Sequence, residues 1–389
     1  MPTIFTRGAA SARGFGLFGA APVPSFGLWS WGRNSYGQLG LNNITDYSSP
    51  KQVGALKTWS NVTTSSDTPN SLAIKSDGTM WAWGQNVNGQ LGLGNTTSYS
   101  SPKQVGALTN WATVSGGNAF CLAIKTDGTL WAWGSGANGK LGLGNTVNYS
   151  SPKQVGALTT WSKISAGGRS STAIKTDGTL WSWGYNVYGQ LGLNNTTNYS
   201  SPKQVGALTN WATVSSSSGP SYTSVAATKT NGTLFAWGDN TQGQLGFYTA
   251  PGPAPYYYKR VSSPQQVGAL TTWATVSSGK RFTLGTTTAG ALWSWGRGTY
   301  AVLGLGNTTS YSSPKQVGAL TNWATVSAAA INSSFAVKTD GTLWSWGNNN
   351  VGQLGLGNIT TYSSPKQVGA ATGWSAVAGG GYFTLALKT

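Results

Sequence analysis

The tetrapeptide Trp-x-Trp-Gly begins at Trp29, Trp81, Trp131, Trp181, Trp293 and Trp344, and once more at Phe235, where Phe replaces the first Trp. The start-to-start intervals are 52, 50, 50, 54, 58 and 51 residues. A repeat of this length means that each unit is one supersecondary element stacked on its neighbours. The copies are close: SYSSPKQVGALTNWATVS occupies 98–115 and recurs letter for letter at 310–327.

Within one unit the pattern is that of short strands. In 111–155, WATVS (111–115) alternates, CLAIKT (121–126) follows a Gly-Gly break, and LWAWG (130–134) follows Asp127-Gly128. That dipeptide reads as a two-residue hairpin turn in which both residues can take positive φ. A Gly/Asn-rich connection then leads to KQV (153–155), an outer strand. Four strands without helical periodicity, repeated seven times, predict an all-β, seven-bladed β-propeller over 26–389. Closure is legible as well. The chain stops at LALKT (385–389), where a third strand is due, and FGLWSWG (26–32) is such a strand. The two ends should share one blade, leaving no free sheet edge.

The 20 Trp are all used by this pattern: thirteen in the tetrapeptides, and Trp59, Trp111, Trp161, Trp211, Trp273, Trp323 and Trp374 each two or three positions before a Val or Ile of the first strand. Truncating a buried Trp costs ~3–5 kcal/mol, whereas stacking one base on an aromatic gains ~1–3 kcal/mol. The rings are therefore expected between the blades, as core.

Several chemistries are excluded. The chain has no His, one Cys (Cys121) and seven acids, all Asp. That rules out His-based triads, an intrachain disulfide, a Cys/His zinc site and paired-glutamate hydrolysis. No catalytic residue, cofactor or metal site is predicted, and the chain reads as non-enzymatic. Asp77, Asp127, Asp177 and Asp340 belong to the DGT turns; Asp46, Asp67 and Asp239 have no assigned role. Cys121 reads as a buried bystander.

The units WGxNxxGQLGLGNxTxYSSPxQV and AIKTDGTLWxWG resemble the repeats of the regulator of chromosome condensation family over nearly the whole chain. The resemblance implies a seven-bladed propeller with interlocked ends. It does not imply nucleotide exchange. The family often carries Gly-x-x-His-Ser after the first strand; here GGNAFC (116–121), GGRSST (167–172) and GGGYFT (379–384) stand in its place. An exchange factor for small GTPases is thus the less favoured reading.

Residues 1–25 lie outside the repeats and form a separate tail. Arg7 and Arg13 interrupt its apolar residues, and it has neither a secretory core nor a membrane-spanning run. It resembles short leaders on structural proteins of marine tailed bacteriophages. The expectation is a virion-associated attachment or decoration protein (tail, fibre or capsid), anchored to other virion proteins through the tail, with Arg7 and Arg13 as candidate contacts. A secreted or surface bacterial lectin-like module is the alternative.

The formal net charge is +17. Twelve of the 17 Lys recur with the repeat, six after SSP and six beside the DGT turn, so they ring the molecule. Specific nucleic-acid binding is not expected. An anionic host-surface glycan or protein is the candidate partner, and the Lys beside the DGT turns are expected to help docking to an acidic shell. The longer intervals reflect insertions around SSSSGPSYTS (215–224) and in FYTAPGPAPYYYKRV (247–261). Both fall on the face that carries the connections after VS and after WG. Tyr222, Tyr248, Tyr256, Tyr257, Tyr258, Lys259 and Arg260 are the candidate ligand residues there, since Tyr offers contact area at low entropic cost.

Overall fold

The computed structural model describes residues 26–65, 67–217, 219, 223–247 and 260–389. Seven four-stranded antiparallel sheets follow one another around a ring. Blades 1 to 6 run over 59–104, 111–154, 161–204, 211–266, 273–316 and 323–367. Blade 7 joins Trp374–Gly379 and Phe383–Lys388 to Gly27–Gly32 and Tyr47–Gln52. The closing pair is antiparallel and continuous, from Gly27 opposite Lys388 to Gly32 opposite Phe383.

Two details differ from the sequence reading. The outer strand of blade 2 is Tyr149–Gln154 rather than 153–155, because SSP pairs as well, across a register shift between Tyr149 and Lys153. Pro152 is tolerated because the strand is an edge strand. The DGT turns also use one positive-φ residue, not two: Gly128 has φ of 77°, whereas Asp127 stays in the ordinary region. The Gly128 N–H donates to Lys125 O at 2.9 Å, and Lys125 N–H to Thr129 O at 3.1 Å. This is a type I turn followed by a left-handed glycine. The Asp side chain supports it instead: Asp127 Oδ1 accepts from Thr129 N at 2.9 Å and from its hydroxyl at 2.6 Å.

The tryptophans are the core between blades. Trp31, Trp83, Trp133, Trp183, Trp237, Trp295 and Trp346 are fully buried. Each indole N–H donates to a backbone carbonyl of the preceding blade; Trp133 to Gln90 O is 2.9 Å. The link from Trp31 to Gln353 O, also 2.9 Å, fastens the closing strand to blade 6. The inner Trp of each blade packs roughly edge-on against that blade's own pair, as Trp111 does on Trp131 at 6.0 Å and Trp133 at 6.2 Å. Such pairs add ~0.5–1.5 kcal/mol each beyond area burial.

The inner strands are stapled by hydroxyls. Thr63, Ser115, Ser165, Ser215, Ser277 and Ser327 each accept a backbone N–H from the next blade, at 2.9–3.2 Å. The seventh position is Ala378, which has no hydroxyl. Six links therefore hold the inner ring, and the gap falls between blades 7 and 1.

The Lys beside the DGT turns have a packing role that charge counting missed. Lys125 Nζ lies 3.7 Å from the Trp131 ring centre and 5.1 Å from that of Trp111. Lys175 and Lys338 sit likewise over Trp181 and Trp344, at 3.8 and 3.9 Å. Lys125, Lys175 and Lys338 are only 7–9% exposed. Their ammonium groups lie against the aromatic walls, which reduces what these three can offer to an acidic shell, while Lys75, Lys229 and Lys388 are half-buried. Blade 5 replaces the whole set, with Thr287, Ala289 and Ala291 for Lys, Asp and Thr. The Trp293 indole N–H is left without a hydrogen-bond partner there.

Cys121 likewise fills a repeat position. Its Sγ donates to Gln90 O at 3.3 Å, as the Ser71 hydroxyl does to Gln38 O at 2.7 Å. Burial pushes its thiol pKa up, so it is no nucleophile.

Candidate functional site: the connection face

The connections after the inner strand and after WG emerge together on one face of the ring. The reason is the antiparallel order of the four strands, and a backbone hydrogen bond that recurs in every blade ties the two connections together. The residue after WG donates its N–H to the carbonyl of the residue before the second strand: Arg33 to Tyr382, Gln85 to Pro69, Ser135 to Ala119, Tyr185 to Arg169, Asp239 to Thr223, Arg297 to Arg281 and Asn348 to Asn332, all at 2.7–3.0 Å. The Gly of WG permits the approach. At Gly32, φ is 98°, and a Cβ would lie 2.5 Å from Tyr382 O. Seven pairs are thus held by the same backbone geometry while their side chains differ. A fixed frame carrying varied side chains is the usual construction of a binding surface.

The chemistry of this face is set by arginine. Arg33, Arg169, Arg260, Arg281 and Arg297 are all the described Arg, and each lies at one of these connections or, for Arg260, at the end of the 247–261 insertion. Four are stacked on tyrosine rings. Arg33 is 5.7 Å from the centre of Tyr382, Arg169 5.3 Å from Tyr185, Arg260 4.7 Å from Tyr188, and Arg297 5.8 Å from Tyr300. A guanidinium within about 6 Å of a ring centre is attracted by the ring face and keeps N–H donors for carboxylate or phosphate.

Lys140 and Lys280 add to the cationic character of the face. Lys140 replaces the Gln of GQLG and is 5% exposed. Its Nζ donates to Asn118 O at 2.8 Å and lies 5.0 Å from the Phe120 ring centre. Burial, and next to it the Arg169 charge, pull its pKa down to about 8.

The three acids without a repeat role also fall here. Asp46 has one after all: its Oδ1 accepts Asn34 N–H at 2.7 Å, as the Ser98 hydroxyl accepts Asn86 N–H and Asn148 Oδ1 accepts Gly136 N–H. Asp239 is buried and accepts from Thr241 N at 2.7 Å and Gln244 Nε2 at 3.2 Å. Asp67 is half-buried, and its pKa is raised by burial, with Lys280 acting in the opposite direction.

Among the residues expected to bind, Arg260 is on this face, on Tyr188, with Nη1 donating to Val187 O at 3.2 Å. Tyr222, Tyr248, Tyr256, Tyr257, Tyr258 and Lys259 lie outside the described residues, as do Arg7 and Arg13 and the whole of 1–25. Arg33, Arg169, Arg281 and Arg297, with Tyr185, Tyr188, Tyr300 and Tyr382, were not singled out from sequence. A signal for them existed. Twelve of the 17 Lys follow the repeat, whereas every described Arg occurs where the repeat varies. Among the described residues no cluster of three or more metal-ligating side chains exists, and no helix is long and apolar enough to cross a membrane.

The fold and this face define a repeat-built interaction propeller. Models of the regulator of chromosome condensation (RCC1) repeat match residues 27–67, 77–124, 127–174, 177–226, 231–285, 289–337 and 340–387, and the chain belongs to this family. The chain is 43% identical to "Protein RCC2 homolog" of Xenopus laevis over 79 residues, 20% of this chain and 15% of that protein. It is 33% identical to "RCC1 domain-containing protein RUG3, mitochondrial" of Arabidopsis thaliana over 158 residues, 40% of this chain and 35% of that protein. The matches thus span about a third or less of these relatives' own lengths. Among solved structures, human WBSCR16 superimposes with a TM-score of 0.80 at 19% identity, covering 94% of this chain and 99% of that one. Prp20p of Saccharomyces cerevisiae gives 0.79 at 19%, covering 94% and 92%. At this identity the likeness is one of fold.

Proposed function

We propose that the chain is a non-enzymatic binding propeller that presents its connection face to an acidic partner. The observation that carries this is the sorting of cations. Lys is spread by the repeat and partly stacked into the core, while every described Arg stands on one face, four of them on tyrosines. The described acids on that face are three, and Asp239 is buried and hydrogen-bonded. Arg33 and Arg260 are exposed and the other three half-buried, and guanidinium groups gathered on one face attract carboxylates, sulfates and phosphates.

The finer proposal is a virion-associated attachment or decoration protein. Gly27 and Lys388 pair at the end of blade 7's two central strands, on the side of the DGT turns. A chain held from that side would leave the arginine face outward. Anchoring by 1–25 to other virion proteins belongs to the same proposal.

The test is retention on immobilised polygalacturonate and dextran sulfate. The full chain should be retained at moderate salt. A variant with Arg33, Arg169, Arg260, Arg281 and Arg297 replaced by Gln should elute early with an unchanged melting temperature. Equal retention would refute the face assignment. For the finer proposal, mass spectrometry of purified particles should find the chain. Its presence only in culture supernatant would favour the lectin-like alternative, and accelerated GDP release from a small GTPase would replace both with an exchange function.

A further inference from the structure

We infer that a cleft on the connection face, between blades 7 and 1, holds one carboxylated pyranose residue of an acidic polysaccharide. This rests on the proposed acidic partner and names its chemistry. The cleft has a volume of about 280 Å³ and is lined by Arg33, Tyr36, Asp67, Gln85, Ile331 and Tyr382, among others. It is somewhat below the ~300–1,000 Å³ of sites that enclose drug-sized ligands, a size suited to a single ring of a longer chain.

Its chemistry is two-ended. Arg33 is exposed and stacked on Tyr382, and its backbone is tied to Tyr382 O at 2.9 Å. It offers a planar donor fork for one carboxylate. Asp67 also lines the cleft and is half-buried: its Oδ2 is enclosed by protein, and its Oδ1, which makes no hydrogen bond among the described residues, is the oxygen left for a ligand. A partly buried carboxylate short of donors is poorly solvated, and the hydroxyls of a bound sugar would complete it. Tyr36, 47% exposed, presents a flat apolar ring suited to the C–H face of a sugar.

The occupant must therefore carry an anion at one end and hydroxyl donors at the other. A uronate has this arrangement. A run of acidic side chains or of phosphates places negative charge at every position, and one of those charges would face Asp67. The position of the cleft also fits a polymer. It opens on the face where Arg169, Arg260 and Arg297 stand stacked on their tyrosines, so neighbouring uronates would meet further guanidinium groups.

The experiment is titration calorimetry of the full chain with short oligogalacturonate, beside neutral dextran oligomers, oligoglutamate, dextran sulfate and single-stranded DNA. R33Q and D67N are compared with the rim variants R169Q and R297Q, each checked by melting. Oligogalacturonate should bind, and R33Q should weaken it by about tenfold or more, the value of one charged hydrogen-bonded contact. D67N should weaken oligogalacturonate while dextran sulfate binds as well or better, because hydroxyl recognition uses that carboxylate and its charge opposes a ligand that is anionic at every position. If R33Q and D67N bind as the parent while R169Q and R297Q weaken, the cleft assignment falls and the arginine face stands. Oligoglutamate or DNA bound more tightly than oligogalacturonate, and insensitive to D67N, would also overturn the cleft. Failure of every polyanion to bind would remove the face reading itself.

Discussion

Replacing Lys140 by Gln restores the residue that the repeat carries in GQLG and should stabilise the protein at neutral pH. The Lys140 side chain is 5% exposed, and its pKa falls from the ordinary 10.5 to about 8 through burial and the nearby Arg169. The folded state therefore disfavours the charged amine. Below pH ~8 both states hold the proton, and the cost is present in full. Between about 8 and 10.5 the folded state has lost its proton while the unfolded state keeps it, so folding gains with rising pH. Above 10.5 both are neutral and the cost is gone. The drop to about 8 corresponds to roughly 3 kcal/mol as an upper bound. Part is already offset by the bond to Asn118 O. Gln would add its own link: in blade 1, Asn88 N–H donates to Gln90 Oε1 at 2.8 Å. With an unfolding entropy of about 2.1 cal/mol/K per residue, the Tm of K140Q should rise by a few degrees at pH 7. Melting of parent and variant across pH 7 to 10.5 is the assay, and the gap should narrow as pH rises. A constant gap, or a less stable variant, would refute the argument that a buried charge is the cause.

A378S should complete the inner hydroxyl ring and raise stability by about 0.5–1.5 kcal/mol, read from denaturant midpoints; no gain would mean that the seam already satisfies its backbone another way. The triple variant T287K/A289D/A291T gives blade 5 the missing turn chemistry and a partner for Trp293, worth about 1–3 kcal/mol together, with the single T287K gaining much less. Asp127 and Asp177 are held below the ordinary carboxylate pKa of 3.8, first by the Thr129 and Thr179 hydroxyls. Their contribution is complete above that value and is lost as pH falls through the lowered folded pKa, so D127N/D177N should melt with a shallower acid limb. Deleting 1–32 should open blade 7 and lower Tm strongly, because Trp31 is fully buried and bonded to Gln353 O, whereas deleting 1–24 should change Tm little; equal losses would contradict closure by 26–32.

The strands, their number and the closing strand are legible because each depends on short-range pattern. Alternation in WATVS and LWAWG, the DGT turn and a fifty-residue period suffice to place four strands per blade. The full length of the outer strand is not legible, because a Pro in SSP argues against a strand and only pairing with its neighbour shows that an edge strand accepts Pro152. The roles of Cys121 and Asp46 are hidden for a related reason. Each stands in for a different residue type at a fixed hydrogen-bonding position, which is visible only when the Gln90 carbonyl and the Asn34 N–H are seen to need a partner.

By itself the sequence determined that the chain is a seven-unit ring of short strands, that tryptophan fills it and that its ends close it, since hydrophobic period and turn chemistry act between residues near in the chain. It also determined the number of charges. Only the tertiary structure decided what those charges face. Lys125, Lys175 and Lys338 meet aromatic rings 3.7–3.9 Å away and are largely withdrawn from solvent, while Arg33 meets a tyrosine 349 residues along the chain and stays exposed. A charge has one value in a sequence, but its availability to a partner is set by desolvation and by neighbours that closing the ring brings together.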